Sequence, residues 1–357
     1  MIRYVCRTLV AFLLTFGLSV TTWGLTIESD DFVAEVERLR DLTFDKNTNL
    51  YVEPTPAERN DFSTLASTLW AGDIAQADLL AGALSYEIVE FTNTITGDVY
   101  HGLRELLVNG DQTLGWGSYF VNLAFNADNL VEVPHPRFDT NSWNVGAKVF
   151  QQAEARGFMM AGAHRNANGP DTADVAHLTA SIFQEAHEAW NGLNGEIVAW
   201  QLHGFAISNH PTFPAGTDVV LSNGDGGVSP EVIALDALFD STLDSSNDPF
   251  LSHAYNTLAI NDPLNVLVNG GVAGTTFSGL GATTNEQGIY SRGIGGTFVH
   301  IELEQSIRFD SDNRDTAAGL ISDAMLSVPE PSTIVLFSIA LLGTIVIIYR
   351  RKKQQWV

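Results

Sequence analysis

The stretch NLVEVPHPRFD, residues 129–139, decides how the chain is read. Asn129 to Val133 is a short run carrying β-branched residues, which suits a strand. Pro134 stops it, because proline has no N–H for a sheet ladder and holds the residue before it extended. His135 then sits between Pro134 and Pro136, and Asp139 follows four positions later. Flanking prolines lower the entropic cost of ordering such a corner. Outward from it, strand and helix patterns alternate. YFVNLAF (119–125) precedes it as a strand, and residues 144–156 read as a helix with Val145, Val149 and Phe150 on one face. FMMAGA (158–163) follows as a buried strand, then a helix over residues 172–190 capped near Asp171 or Thr172. EIVAWQLHG (196–204) and TDVVLSNG (217–224) are strands, residues 230–243 a helix, and NVLVNG (265–270) and TFVHIELE (297–304) late strands. This alternation predicts an α/β domain with a mixed or mostly parallel central sheet flanked by helices. Such sheets bind ligands at the carboxyl ends of their strands.

The domain so defined covers residues 111–327. Residues 25–110 read as a helical N-terminal segment, either the first layer of the main domain or a cap on it. Phe32, Val33, Val36, Leu39 and Leu42 suit a short amphipathic helix, Thr55 and Pro56 a helix start, and Asp73 a second one ending near Leu84 or Ser85. YEIVEFTN (86–93) is then a strand.

The two ends carry targeting patterns. Arg3 and Arg7, an apolar stretch from Leu9 to Val20 and the small-residue pattern at Thr22–Gly24 have the layout of a signal peptide over residues 1–24. At the other end come VPEPST (328–333), an uncharged apolar stretch over 334–349 that predicts a transmembrane helix, and the basic cluster Arg350, Arg351, Lys352 and Lys353. These three parts in order resemble the PEP-CTERM sorting signal of Gram-negative bacteria. The resemblance implies an exosortase-type partner, transient membrane anchoring through the C-terminal helix, cleavage near the PEP motif, and delivery to the cell surface or extracellular matrix.

With 42 acidic against 18 basic residues the chain has a formal charge of −24, and the body is more acidic than that figure, since both basic clusters lie in the ends. Such a surface repels nucleic acid and anionic membrane. The single cysteine, Cys6, lies in the signal, so the body has neither a disulfide nor a thiol nucleophile. It also lacks a G-x-S-x-G elbow, a Walker loop and a dinucleotide fingerprint. VNGGVAGTTFSGLGA (268–282) reads as a mobile loop near the site with no apolar-periodic helix after it, and SNGDGG (222–227) as a turn without EF-hand spacing.

His135, His164 and His203 fall at or near strand ends, and Glu302 and Glu304 sit among apolar residues of a late strand. A carboxylate there is costly unless it is paired or metal-bound. Two imidazoles and a carboxylate, from His135, His203 and Asp139, suit a catalytic zinc, which keeps one position open for water. Taken alone, His135 reads better as a turn histidine donating a hydrogen bond; only the three residues together favour a metal.

EVPHPRFD (132–139), AGAHRNANGPDTADVAH (161–177), WQLHGF (200–205) and HIELEQSIR (300–308) resemble, in their order, the motifs of the N-formylglutamate amidohydrolase and zinc carboxypeptidase superfamily. The resemblance spans about residues 115 to 310. It implies a phosphorylase/hydrolase-like fold, as in zinc carboxypeptidases, with His135, Asp139 and His203 as zinc ligands and Glu302 as general base. It also implies cleavage of an amide bond in an acidic amino-acid or peptide-like substrate. One departure is that the usual His-x-x-Glu pair is here His-x-x-x-Asp, so Asp139 either ligates or only orients His135. Arg165, with His164 beside it, suits a grip on a substrate carboxylate, against a plain salt bridge. Asp174 and His177, three apart on the predicted helix, read as a second metal pair, an orienting pair or a surface hydrogen bond. His300 shares a strand face with Glu302 and would support it, and Glu304 on that face is the rival base. His187, with Phe183 and Trp190, reads as a core stripe. The competing functions are a non-catalytic surface or matrix binding module on the same fold, and a metal-free hydrolase built on Asp174 and His177.

Overall fold

The computed structural model describes residues 25–194, 198–211, 213, 216–225, 228–254 and 280–327. The signal peptide, the sorting tail with its predicted span at 334–349, the NVLVNG strand and most of the glycine-rich loop lie outside them. In chain order the elements are β1 (Thr26–Asp30), α1 (Phe32–Leu42), α2 (Pro56–Trp70), α3 (Ile74–Ala81), β2 (Tyr86–Asn93), β3 (Val99–Glu105), β4 (Ser118–Asn122), β5 (Ala127–Val133), α4 (Ser142–Gln152) and β6 (Ala155–Met160). They continue with α5 (Ile182–Asn194), β7 (Val198–Gly204), β8 (Val219–Ser222), α6 (Pro230–Asp240), β9 (Ser252–Ala254), α7 (Glu286–Gly293), β10 (Thr297–Leu303), α8 (Gln305–Phe309) and α9 (Ser311–Ser327).

The ten strands form one mixed sheet in the order β1-β2-β3-β4-β6-β5-β7-β10-β8-β9. Its centre, β6-β5-β7-β10, is parallel, while β2-β3-β4-β6 runs antiparallel. Residues 25–110 are therefore built into the sheet through β1, β2 and β3. One face packs on α1, α4, α6 and α9, with Val131, Trp200 and Ile301 in its core. Phe32, fully buried at the start of α1, makes ring contacts with Phe91, Tyr100, Phe120, Phe150 and Phe158. The other face packs on α2 and α5, with Leu130, Met159, Ala199 and Phe298. Local chemistry sets the helix starts. Thr55 and Glu58 form a reciprocal capping box at α2, with Pro56 in its first turn, and the Asp73 side chain caps α3.

Several sequence expectations shift. The helix expected over residues 172–190 begins only at Ile182. Residues 171–180 are turns instead, because Asp171 takes a left-handed backbone (φ 56°) and the Ala173 N–H bonds back to the Arg165 carbonyl. Asp174 and His177 are thus not partners on a helical face. The helix expected over 144–156 ends at Gln152, where Glu154 turns left-handed (φ 45°) and releases the chain into β6. The helix that follows the glycine-rich loop, α7, is short and polar, without an apolar period, and starts on an Asn285 cap. The sequence reading also lacks β1 and α9. The buried side of α9 carries Ala317, Ala318, Ile321, Ala324 and Met325 with Asn313 and Ser322, an apolar stripe diluted by small and polar residues. No helix among the described residues is long and apolar enough to cross a membrane.

Candidate metal centre and active site

Strand register builds the site. Glu132 of β5 pairs with Gln201 of β7, and Gln201 with His300 of β10. Two residues later His203 pairs with Glu302. Alternate residues of a strand share a face, so these side chains fall in two polar rows on the α5 face of the sheet, at the carboxyl ends of three parallel strands. The apolar row of Leu130, Ala199 and Phe298 lies one step earlier on the same face. The loop after β5 closes over these rows. The Asp139 N–H bonds to the His135 carbonyl at 2.9 Å, which folds the Asp139 side chain back beside the histidine. Arg308 of α8 fixes the far end of that loop through the Thr140 carbonyl, and also donates to the carbonyls of Leu303 and Phe205.

The result is a cavity of about 560 Å³ whose lining includes His135, Asp139, His203, His300, Glu302 and Arg165. Asp139 Oδ2 lies 3.3 Å from His135 Nδ1 and 3.4 Å from His203 Nδ1, and all three residues are buried. Each imidazole is held from behind through its other nitrogen. His135 Nε2 bonds to Asp174 Oδ1 at 2.8 Å, and His203 Nε2 to Gln201 Oε1 at 2.7 Å. Metal-bound histidines are commonly oriented in this way, with the distal N–H donated to a carboxylate or carbonyl. Asp174 is therefore the partner of His135. It also ion-pairs with Arg165, which bonds Asp171 as well.

The donor set fits a zinc ion. Two imidazole nitrogens and a carboxylate oxygen converge, in both number and type, on what a catalytic zinc takes from a protein. A second group, His203, His300 and Glu302, lies against the first and shares His203 with it. Beside these, His300 Nδ1 and Glu302 Oε2 are buried with no hydrogen-bond partner among the described residues.

The electrostatics are those of crowded charges. Burial opposes a charge on His135, but hydrogen bonds and fields from Asp139 and Asp174 outweigh it and raise its pKa to about 9. Against its own burial, Asp174 is held down to about 2 by the His135 hydrogen bond. Burial lowers His203, and lowers His300 well below its ordinary value, with the neighbouring His203 acting in the same direction. Burial, then the Asp139 charge, raises Glu302 well above the usual carboxylate range.

Other expected site residues are placed differently. His164 is not among the cavity-lining residues, and its Nδ1 accepts the Asn166 N–H at 3.0 Å. Glu304 caps α8, accepting the backbone N–H groups of Ser306 and Ile207, and does not line the cavity. His177 lines the cavity with Nδ1 on the Thr284 carbonyl. His187 is fully buried, 2.7 Å from Glu132 Oε1. The sequence reading passed over Gln201, Glu132 and Arg308. Glu132 carried the same signal as Glu302, a charge inside an apolar strand, and Gln201 stands two residues before His203 on the same face.

Residues 327–353 match the PEP-CTERM protein-sorting motif. The chain thus carries a signal that implies recognition by an exosortase and surface sorting in Gram-negative bacteria. No match was found among curated proteins. Similar solved structures include a gene product of Agrobacterium tumefaciens (13% identity, TM-score 0.37, 57% of this chain and 89% of that one). Others are a protein assigned as a carboxypeptidase A from Shewanella denitrificans (11%, 0.33, 72% and 68%) and an N-formylglutamate amidohydrolase from Ralstonia eutropha (10%, 0.34, 60% and 96%). At these scores the likenesses assign no activity to this chain.

Proposed function

We propose that the protein is an exported zinc-dependent hydrolase of amide bonds in an acidic amino-acid or peptide-like substrate, released to the cell surface or matrix after sorting. The observation that carries this reading is the convergence of His135 Nδ1, His203 Nδ1 and Asp139 Oδ2 at one corner of a cavity that also exposes Glu302. The motif order over residues 132–308 supports it from the sequence side. A zinc ion held by these three side chains would supply Lewis acidity, polarising the scissile carbonyl and acidifying water.

The chain's own residues do the rest. Glu302 is the proton acceptor: its Oε2 has no hydrogen-bond partner among the described residues, and its raised proton affinity suits taking a proton from water and passing it to the leaving amine. His300 Nε2, 3.6 Å from Glu302 Oε1, limits where that carboxyl can swing. Arg165 reaches the cavity as a fixed cation for a substrate carboxylate, and Asp171, which is exposed, can release its share of the guanidinium. The test is Glu302→Gln assayed on amides and γ-glutamyl peptides. Removing a general base lowers kcat by about 10²–10⁴-fold, while bound zinc stays at the wild-type level. A wild-type rate in that variant rules out the assigned role.

A further inference from the structure

Beneath the cavity, the Gln201 contact with His203 is the end of a deeper buried polar network. We propose that Gln201 is a positioning residue that fixes the tautomer of His203, so that Nε2 carries the proton and Nδ1 faces the metal corner. The inference rests on the zinc reading for its purpose, but its geometry stands on the network alone.

Three independent anchors set the direction of the Gln201 amide. The first is Glu132, whose Oε1 is engaged by His187 Nδ1 at 2.7 Å and whose Oε2 accepts Gln201 Nε2 at 3.0 Å. The second is the Val175 carbonyl. It can only accept, so Gln287 turns Nε2 towards it and presents Oε1 to Gln201 Nε2 at 3.0 Å. The third is the Gly288 N–H at the start of α7. It can only donate, so Asn285 gives it Oδ1 and points Nδ2 at Gln201 Oε1, 2.5 Å away. All three turn the Gln201 oxygen towards His203, whose Nε2 must then be the donor across 2.7 Å. A neutral imidazole with its proton on Nε2 has its lone pair on Nδ1. That lone pair faces Asp139 Oδ2, another acceptor, at 3.4 Å. Two acceptors face to face call for a cation between them, which is the role of the ion.

Glu132, His187, Gln201, Gln287 and Ser291 are fully buried, with Ser291 Oγ 2.9 Å from His187 Nε2. Apolar side chains of similar volume would serve stability as well or better at such depth. What the network adds is direction, set by the Val175 carbonyl of a loop and the Gly288 N–H at the start of α7, and delivered to one ring nitrogen at the site.

The test uses the purified full-length chain with ¹⁵N-labelled histidine, metal-free and zinc-loaded. Long-range ¹H–¹⁵N spectra report which ring nitrogen of His203 is protonated, with His203→Gln assigning the signal. Zinc affinity is read in parallel by competition with a chromogenic chelator. Wild type should show His203 protonated on Nε2 before any metal is added. Gln201→Met should give mixed tautomers and about 10–100-fold weaker zinc binding. Wild-type His203 protonated on Nδ1, a result that needs no variant to fold, overturns the inference. So does a Gln201→Met protein with an unchanged tautomer. A wild type that holds the Nε2 tautomer through Gln201 yet has no affinity for zinc sinks the metal reading and leaves the positioning role standing.

Discussion

Asp174→Asn is a small change with a large expected effect. Asp174 is 1% exposed, so its bonds are not shared with solvent. One carboxylate oxygen takes His135 Nε2 at 2.8 Å, and the other meets the Arg165 guanidinium. Both neighbours are donors. An amide offers one oxygen and one N–H₂, so either orientation leaves one donor facing another donor. The penalty for one buried, unsatisfied donor is about 1–3 kcal/mol, and the metal-free variant should lose roughly that much stability. His135 also loses the carboxylate that aims its ring, and such losses weaken metal binding by about 10–100-fold. That range corresponds to about 1.4–2.8 kcal/mol at the tenfold equivalent of 1.4 kcal/mol. Zinc competition titration measures the second quantity and urea unfolding of the metal-free protein the first. A folded Asp174→Asn protein with wild-type zinc affinity would refute the claim that Asp174 orients a ligand.

Two further substitutions probe the frame of the site. Phe32→Ala removes the ring at the centre of five aromatic contacts and should cost about 3–5 kcal/mol in denaturant unfolding, and a cost below 1 kcal/mol would mean that the cluster is not packed as described. Arg308→Lys cannot reach the carbonyls of Leu303, Thr140 and Phe205 together. It should lower stability by roughly 2–4 kcal/mol and weaken zinc binding through the loop that carries Asp139, whereas unaltered zinc affinity would separate the clamp from the site.

The sequence made the parallel centre of the sheet legible because Leu130–Val133, Val198–Leu202 and Phe298–Leu303 are dense apolar runs bounded by turns. It also placed polar candidates at or near the ends of such runs: His135 and His203 just after them, and Glu302 one residue before the last. It could not show how those ends align. The register that sets Gln201 beside Glu132 and His300, and His203 beside Glu302, is a tertiary fact. Asp174 illustrates the gap. Its spacing to His177 suggested a helical pair, but the turns that begin at left-handed Asp171 carry it to a histidine 39 residues earlier. Glu304 looked equivalent to Glu302 until the strand was seen to stop at Leu303, which leaves the later glutamate to cap α8. At α9 the apolar stripe of Ala317, Ala318, Ile321, Ala324 and Met325 is faint, because three of its five members are alanines and Asn313 and Ser322 are buried beside them.

The most direct test of the central claim is the zinc content of the purified protein beside a His203→Ala variant, both prepared with zinc supplied. The site described here predicts about one zinc per chain in the wild type, with loss of that zinc in a variant that remains folded by circular dichroism. No zinc in either protein, or equal zinc in both, would contradict it.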